Sequence, residues 1–168
     1  IGAGTMGTGI AQAAATAGWP VRLYDVEQSL VDLASSHIAN RFARLVDKGR
    51  ISNEEATESH NQIMPTTSID DLSGCDLIIE AIVEDFDIKT TVLKTAAELS
   101  NDSVIATNTS SLSVGELGES CGFPQRLVGM HFFNPAPIMP LVEVIRTKKS
   151  DESAVERATL IAEAWGKT

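Results

Sequence analysis

Three glycines, Gly2, Gly4 and Gly7, make the spacing G-x-G-x-x-G, and an acid, Asp25, stands 21 residues after Gly4. The triplet alone is weak, because glycine serves turns of every kind. Its context sharpens it. The glycines end a strand-like stretch, open a run of small helix-compatible residues, and are followed by a second short strand, Val21-Arg22-Leu23-Tyr24, that closes on Asp25. In that setting the first glycine permits a tight turn and the second lets the backbone approach a pyrophosphate. The third allows close helix–strand packing, with the helix N-terminus meeting the phosphate charge. A carboxylate at Asp25 would bind both ribose hydroxyls of an adenosine and repel a 2′-phosphate, which favours NAD over NADP. FAD is the second candidate ligand. A plain glycine turn beside a solvated aspartate is the bland alternative.

A second group carries proton chemistry. His131 ends the apolar stretch before Phe132-Phe133-Asn134-Pro135, and Glu143 sits within Leu141-Val142-Glu143-Val144-Ile145. An acid flanked by Val, Leu and Ile is costly to bury without a partner. Two neighbouring strands could bring imidazole and carboxylate together, so that Glu143 orients the ring and stabilises its protonated form. An oxidation that delivers hydride to NAD needs such a base, since the hydroxyl proton must leave as the hydride does. A structural core histidine and an exposed glutamate form the competing reading. Glu84, with Lys89 five residues on, follows the apolar run 77–82 and could accept from a nicotinamide ribose while Lys89 supports it; both also suit the start of a helix. Thr107-Asn108-Thr109-Ser110-Ser111 offers hydroxyls and an amide to a substrate, or simply caps a helix. Arg41, Arg44 and Lys48, with Arg50 beyond, form a basic stripe that suits a phosphorylated substrate tail or a solvated helix face. His37 and His60 have no such context and read as surface residues.

These residues need elements to place them. Helices are expected over 5–17, 27–48, 52–60, 87–99, 113–119 and 151–165, with strands over 21–25, 77–82, 104–107, 127–133 and 141–145. Leu30, Ala34, Ile38, Phe42 and Leu45 lie at helical spacing, and Ser52 with Glu55 has the form of a capping box. Alternation of strands and helices predicts an α/β fold with a mostly parallel sheet, and the closely linked strands near 127–145 an antiparallel addition. The chain has 168 residues, 43% of them hydrophobic and 21% charged, which is the composition of an ordinary globular domain with a real core. A net charge of −10 argues against nucleic acid or an anionic membrane surface, and no apolar stretch is long enough to span a bilayer. An anionic ligand must then be held by local devices such as a helix terminus. Cys75 and Cys121 provide no disulfide framework and no metal-ligand spacing, so a reducing compartment is expected and no metal site. The opening Ile1-Gly2 reads as the end of a strand whose start is missing.

Taken together, these residues resemble the NAD-binding domain of the 3-hydroxyacyl-CoA dehydrogenase family. The resemblance is carried by Ile-Gly-Ala-Gly-Thr-Met-Gly at 1–7, Tyr24-Asp25, and Glu-Ala-Ile-Val-Glu at 80–84 with Lys89. It continues through Asn-Thr-Ser-Ser at 108–111, His-Phe-Phe-Asn-Pro at 131–135 and Leu-Val-Glu-Val at 141–144. It implies a Rossmann-like doubly wound sheet and NAD as cofactor. Gly2, Gly4, Thr5, Met6, Gly7 and Asp25 would contact that cofactor, as would Ala81, Glu84, Lys89 and Asn108. His131 would be the general base, Glu143 its partner, and Ser110 and Asn134 substrate contacts; Lys48, with Arg41, would face the CoA phosphates. The implied reaction oxidises an L-3-hydroxyacyl-CoA to the 3-ketoacyl-CoA, or reverses it. The resemblance further implies a helical C-terminal domain, absent from these 168 residues, that completes the substrate cleft and forms a homodimer, so this chain alone would be inactive. A cytoplasmic setting is expected, with the mitochondrial matrix as alternative. Two other readings stay open: a binding-only dinucleotide module, and a related sugar-acid or hydroxyacid dehydrogenase.

Overall fold

A computed structural model describes residues 1–168. In chain order the elements are α1 (Thr5–Thr16), β1 (Val21–Tyr24), α2 (Gln28–Asp47), α3 (Asn53–Asn61), β2 (Ile63–Thr66), a 3-10 turn (Ile69–Leu72), β3 (Leu77–Glu80) and α4 (Phe86–Leu99). They continue with β4 (Val104–Thr107), α5 (Val114–Cys121), β5 (Leu127–Phe132), β6 (Val142–Ile145) and α6 (Glu152–Ala164). β1 and β2 pair in parallel, β3, β4 and β5 pair in parallel, and β6 adds antiparallel to β5.

Residues 1–3 join the two strand groups. The Gly2 amide donates to Tyr24 O at 2.8 Å, the Ala81 amide donates to Ile1 O at 2.8 Å, and the Ile1 nitrogen reaches Ile79 O at 2.7 Å. The sequence of neighbours is therefore β2, β1, residues 1–3, β3, β4, β5, β6. This is a Rossmann-like arrangement, mostly parallel, reversing direction outward from the glycine turn. Beside Ile1 an apolar cleft of about 310 Å³ opens between β1 and β3, with Leu23, Ile78, Trp19 and Trp165 among its walls.

The core follows from the pleat. Alternate residues of β4 point to opposite faces. Val104 and Ala106 join Ile10, Met130 and the α6 alanines on one face, while Ile105 joins Leu93, Ala96 and Leu117 of α4 and α5 on the other. A fully buried leucine such as Leu93 contributes ~2 kcal/mol by surface removal. A third cluster packs α2 onto α1 and β1 through Val31, Ala34, Ile38 and Phe42. The inward stripe of α2 thus starts at Val31; Leu30, expected on it, is 36% exposed at the rim.

Ser52 and Glu55 form the anticipated reciprocal capping box, which starts α3. One strand was not anticipated: β2 contains Pro65, and its residues are intermediate or exposed. It pairs only with β1, and an edge strand tolerates a proline because one side of it needs no ladder donor. The apolar run 77–82 is strand only to Glu80, where the chain turns away under a buried carboxylate described below. No helix is long and apolar enough to cross a membrane.

Candidate cofactor and proton-transfer site

Chain chemistry concentrates at the carboxyl ends of β1, β3, β4 and β5, beside the turn at residues 2–7. Gly2 adopts φ +96°, a left-handed conformation that side chains disfavour, and a Cβ there would lie 2.8 Å from Ala81 O. A Cβ on Gly7 would lie 1.8 Å from Gly2 O. Both glycines are therefore fixed by protein packing. Gly4 differs: it is exposed, and a Cβ on it would meet nothing within 4 Å.

Helix α1 begins at Thr5 without a side-chain cap and with no acid in its first turn. Its first bond runs from the Thr8 amide to Gly4 O, so the amides of Thr5, Met6 and Gly7 have no carbonyl behind them. Bare amides, an open surface at Gly4 and the positive end of a twelve-residue helix suit a diphosphate. Asp25 stands beside this turn, half-buried, with one carboxylate oxygen accepting from the Ala3 amide at 2.8 Å and the other from the Glu27 amide at 3.2 Å. These bonds aim the carboxylate, and each oxygen keeps acceptor capacity for a ribose hydroxyl. The residues present fit NAD.

The end of β3 holds the most buried charges in the chain. Glu80 is 0% exposed and Lys89, from the first turn of α4, is 1% exposed. Lys89 Nζ donates to Glu80 Oε1 at 2.6 Å, Thr107 Oγ1 donates to Glu80 Oε2 at 2.7 Å, and the Ile82 amide donates to Glu80 Oε1 at 2.8 Å. With every partner matched, a buried pair of this kind is tolerated, whereas removing one member would strand the other. Lys89 Nζ also lies 3.3 Å from Glu84 Oε2. The lysine expected at the cofactor is thus turned into the protein, where it supports Glu84 and Glu80 rather than presenting its ammonium outward.

Glu84 gathers the loop after β4. Its Oε1 accepts from the Thr109 hydroxyl, from the Ser110 and Ser111 amides at 3.0 and 3.2 Å, and from Ser111 Oγ at 3.1 Å. Partial burial opposes its ionisation. The Thr109 hydroxyl, the Ser110 amide, Lys89 and the Ser111 amide outweigh that and hold the carboxyl down at about 2. Asn108 is tied on both sides: its amide donates to Glu80 O at 2.8 Å, and its Oδ1 accepts from the Phe132 amide at 2.8 Å.

His131 and Glu143 occupy facing positions of the antiparallel pair β5–β6. His131 Nδ1 lies 2.8 Å from Glu143 Oε2, and no protein group occupies the ring's Nε2. The expected juxtaposition is present, but the expected burial is not: the Glu143 side chain is 53% exposed and that of His131 21%. β6 is the last strand on its side of the sheet, and Glu143 stands half exposed on it. The acid among apolar neighbours that is buried and fully partnered is Glu80.

The remaining predicted residues scatter. Asn134 is exposed at the start of the loop that follows His131, and Ser110 is exposed in the loop after β4. Met6 and Ala81 are half-buried around the glycine turn, and Thr5 is exposed. Arg41 is half-buried against α1, donating to Gln12 Oε1 at 3.3 Å, while Arg44, Lys48 and Arg50 are exposed; the stripe is not one continuous free surface. His37 and His60 are exposed. Thr107 and Thr109, offered by the sequence to a substrate, instead donate to Glu80 and Glu84, and the buried role of Glu80 was not foreseen. The available signal was Glu80 itself, an acid enclosed by Leu77-Ile78-Ile79 and Ala81-Ile82 with a lysine nine positions on.

Known proteins share the sequence and the fold of this chain. A family model described as the 3-hydroxyacyl-CoA dehydrogenase NAD-binding domain matches residues 1–168. The fatty acid oxidation complex subunit alpha of Psychrobacter cryohalolentis is 40% identical over 168 residues, 99% of this chain and 23% of that protein. Among solved structures, 3-hydroxybutyryl-CoA dehydrogenase from Escherichia coli K12 superimposes with a TM-score of 0.97 at 36% identity, covering 100% of this chain and 36% of that one. FadB2 of M. tuberculosis gives 0.96 at 36% identity, covering 99% of this chain and 60% of that one. The chain thus spans under a quarter of the curated relative and between a third and two thirds of the solved ones. With the glycine turn, the aimed Asp25 and the match along its whole length, this chain belongs to the NAD-binding domain family of the 3-hydroxyacyl-CoA dehydrogenases.

Proposed function

We propose that this chain is the cofactor-holding domain of an enzyme that oxidises an L-3-hydroxyacyl-CoA to the 3-ketoacyl-CoA with NAD, or runs the reverse reduction. The observation that carries the reading is the His131–Glu143 pair, 2.8 Å apart, set at the edge of the sheet that also carries the glycine turn. Bound NAD supplies the acceptor for the substrate's hydride. His131 Nε2 takes the hydroxyl proton, and Glu143 at Nδ1 fixes the ring tautomer and stabilises the imidazolium that results. Ser110 and Asn134 hold the substrate's hydroxyl or thioester oxygen near Nε2.

On the cofactor side, the amides at Gly4, Thr5, Met6 and Gly7 receive the diphosphate and Asp25 the adenosine ribose. Gly2, Ala81, Glu84 and Asn108 shape the path to the nicotinamide end, and Lys89 acts there through Glu84. Lys48 and Arg41 are the candidates for CoA phosphates. A helical domain following this one would cover the substrate and form the homodimer, and the strand that ends at residues 1–3 would extend into the apolar cleft between β1 and β3. Support comes from the partial coverage of the relatives and from the apolar lining of that cleft. The bacterial origin of the curated relatives favours the cytoplasm over the mitochondrial matrix.

The test uses a full-length protein containing this domain, with 3-hydroxybutyryl-CoA and NAD followed by absorbance of NADH. His131→Ala is expected to lower kcat by about 10²–10⁴, the span of a positioned general base, while NAD affinity by calorimetry stays unchanged. Turnover within a few-fold of the unsubstituted protein would remove His131 from the mechanism.

A further inference from the structure

Four hydroxyls lie along residues 107–111, from the end of β4 into the loop that leaves it. Thr107 Oγ1 donates to Glu80, Thr109 Oγ1 donates to Glu84, and Ser111 Oγ donates to Glu84. Ser110 Oγ alone has no protein partner, although the Ser110 amide is pinned to Glu84 Oε1 at 3.0 Å. Ser110, exposed like Ser111, is therefore held by its backbone with its hydroxyl left over.

The pin comes from another element. Glu84 stands between β3 and α4, beyond the Ala81 backbone that packs against Gly2. Behind it, Lys89 links Glu84 to the buried Glu80, which also fixes Thr107. From the other direction Asn108 ties the same loop to the Phe132 amide, next to His131. Successive amides converging on one carboxylate oxygen form an anion-holding nest, and here the anion is a protein side chain. The 107–111 loop is thereby set from three sides, with Glu84 the one charged clamp at its exposed end.

We infer that Glu84 is a positioning residue for the substrate: by gathering the Thr109–Ser111 backbone it presents the Ser110 hydroxyl toward the oxygen on which His131 acts. This rests on the dehydrogenase reading above and adds a substrate-side duty to a residue otherwise placed at the cofactor. Glu84 thereby joins the two halves of the site. Loss of the clamp frees the loop, and Ser110 then no longer contributes.

The test is a double-mutant cycle in the full-length protein: Glu84→Gln, Ser110→Ala and the pair, with kcat and KM measured separately for 3-hydroxybutyryl-CoA and for NAD. Each single substitution is expected to lower kcat/KM for the acyl-CoA about tenfold or more. The pair should then fall within about twofold of Glu84→Gln alone, since coupled residues are not additive. Losses that multiply would overturn the inference and leave Glu84 acting through the cofactor only. Amide hydrogen exchange at residues 109–111 provides a readout independent of turnover: it should rise in Glu84→Gln, and unchanged protection would equally overturn the clamp. If the unsubstituted protein turns over no 3-hydroxyacyl-CoA, the dehydrogenase reading fails while the exchange result still decides the clamp. Should Glu84→Gln not fold, Thr109→Val removes a donor from the loop side and takes its place in the cycle.

Discussion

Asp25 shows how a single side chain is made into a site. A free aspartate at a strand end would sample several rotamers, whereas here the amides of Ala3 and Glu27 donate one bond to each carboxylate oxygen. What remains on the carboxylate is directed acceptor capacity beside the turn. Asp25→Asn keeps the shape but removes the charge and half of the acceptors. Hydrogen bonds to charged groups contribute roughly 1.5–3 kcal/mol, so NAD affinity by calorimetry should fall about tenfold or more, and the preference for NAD over NADP should shrink. The candidacy of this residue was legible in order along the chain, because the acid and the glycines belong to one local βαβ pattern. For Glu80 the sequence showed only an acid within an apolar run, since its partners Lys89 and Thr107 arrive from α4 and β4 and only folding brings them to it.

Elements set which of the three glycines does what. Gly7 faces the backbone of Gly2, and Gly4 faces open space. Gly7→Ala must therefore displace main chain, with a stability loss of at least the 1–3 kcal/mol typical of overpacking, or about 2–4 °C in Tm for each kcal/mol. Gly4→Ala should melt with the unsubstituted protein yet bind NAD more weakly, because the added methyl points where a diphosphate approaches. Thermal melts paired with calorimetry separate the two cases, and a Gly4→Ala protein that binds NAD normally would remove that position from the site. The helix starts, the capping box at Ser52 and the antiparallel turn-back after His131 were all readable, each resting on local chemistry. The edge strand β2 was not, because its proline and exposed residues carry no strand periodicity and only pairing with β1 defines it.

For the molecule as a whole, Glu84 links stability to pH. Its carboxyl is lowered from 4.5 to about 2 in the folded state. A depressed carboxyl stabilises the fold above its unfolded value, and that contribution is lost as pH falls from about 4.5 towards 2. The difference in Tm between the unsubstituted protein and Glu84→Gln is expected to be full near neutral pH and to shrink through that acid window. The side chain is 37% exposed, so solvent screening keeps the effect modest. A Tm difference constant from neutral pH down to the acid end of that window would show that the contacts of Glu84 do not depend on its charge.

The sequence by itself determined the alternating α/β order, the glycine turn with its acid, and the candidacy of His131 and Glu143, since each is written in local spacing and residue type. The tertiary structure decided the rest. It turned Lys89 inward, left Glu143 half exposed on the outermost strand, and made the buried Glu80 the hub where β3, α4 and β4 meet. The physical reason is that burial and charge pairing depend on which strand lies beside which. That neighbourhood follows sheet order, in which residues 1–3 stand next to residues 77–81.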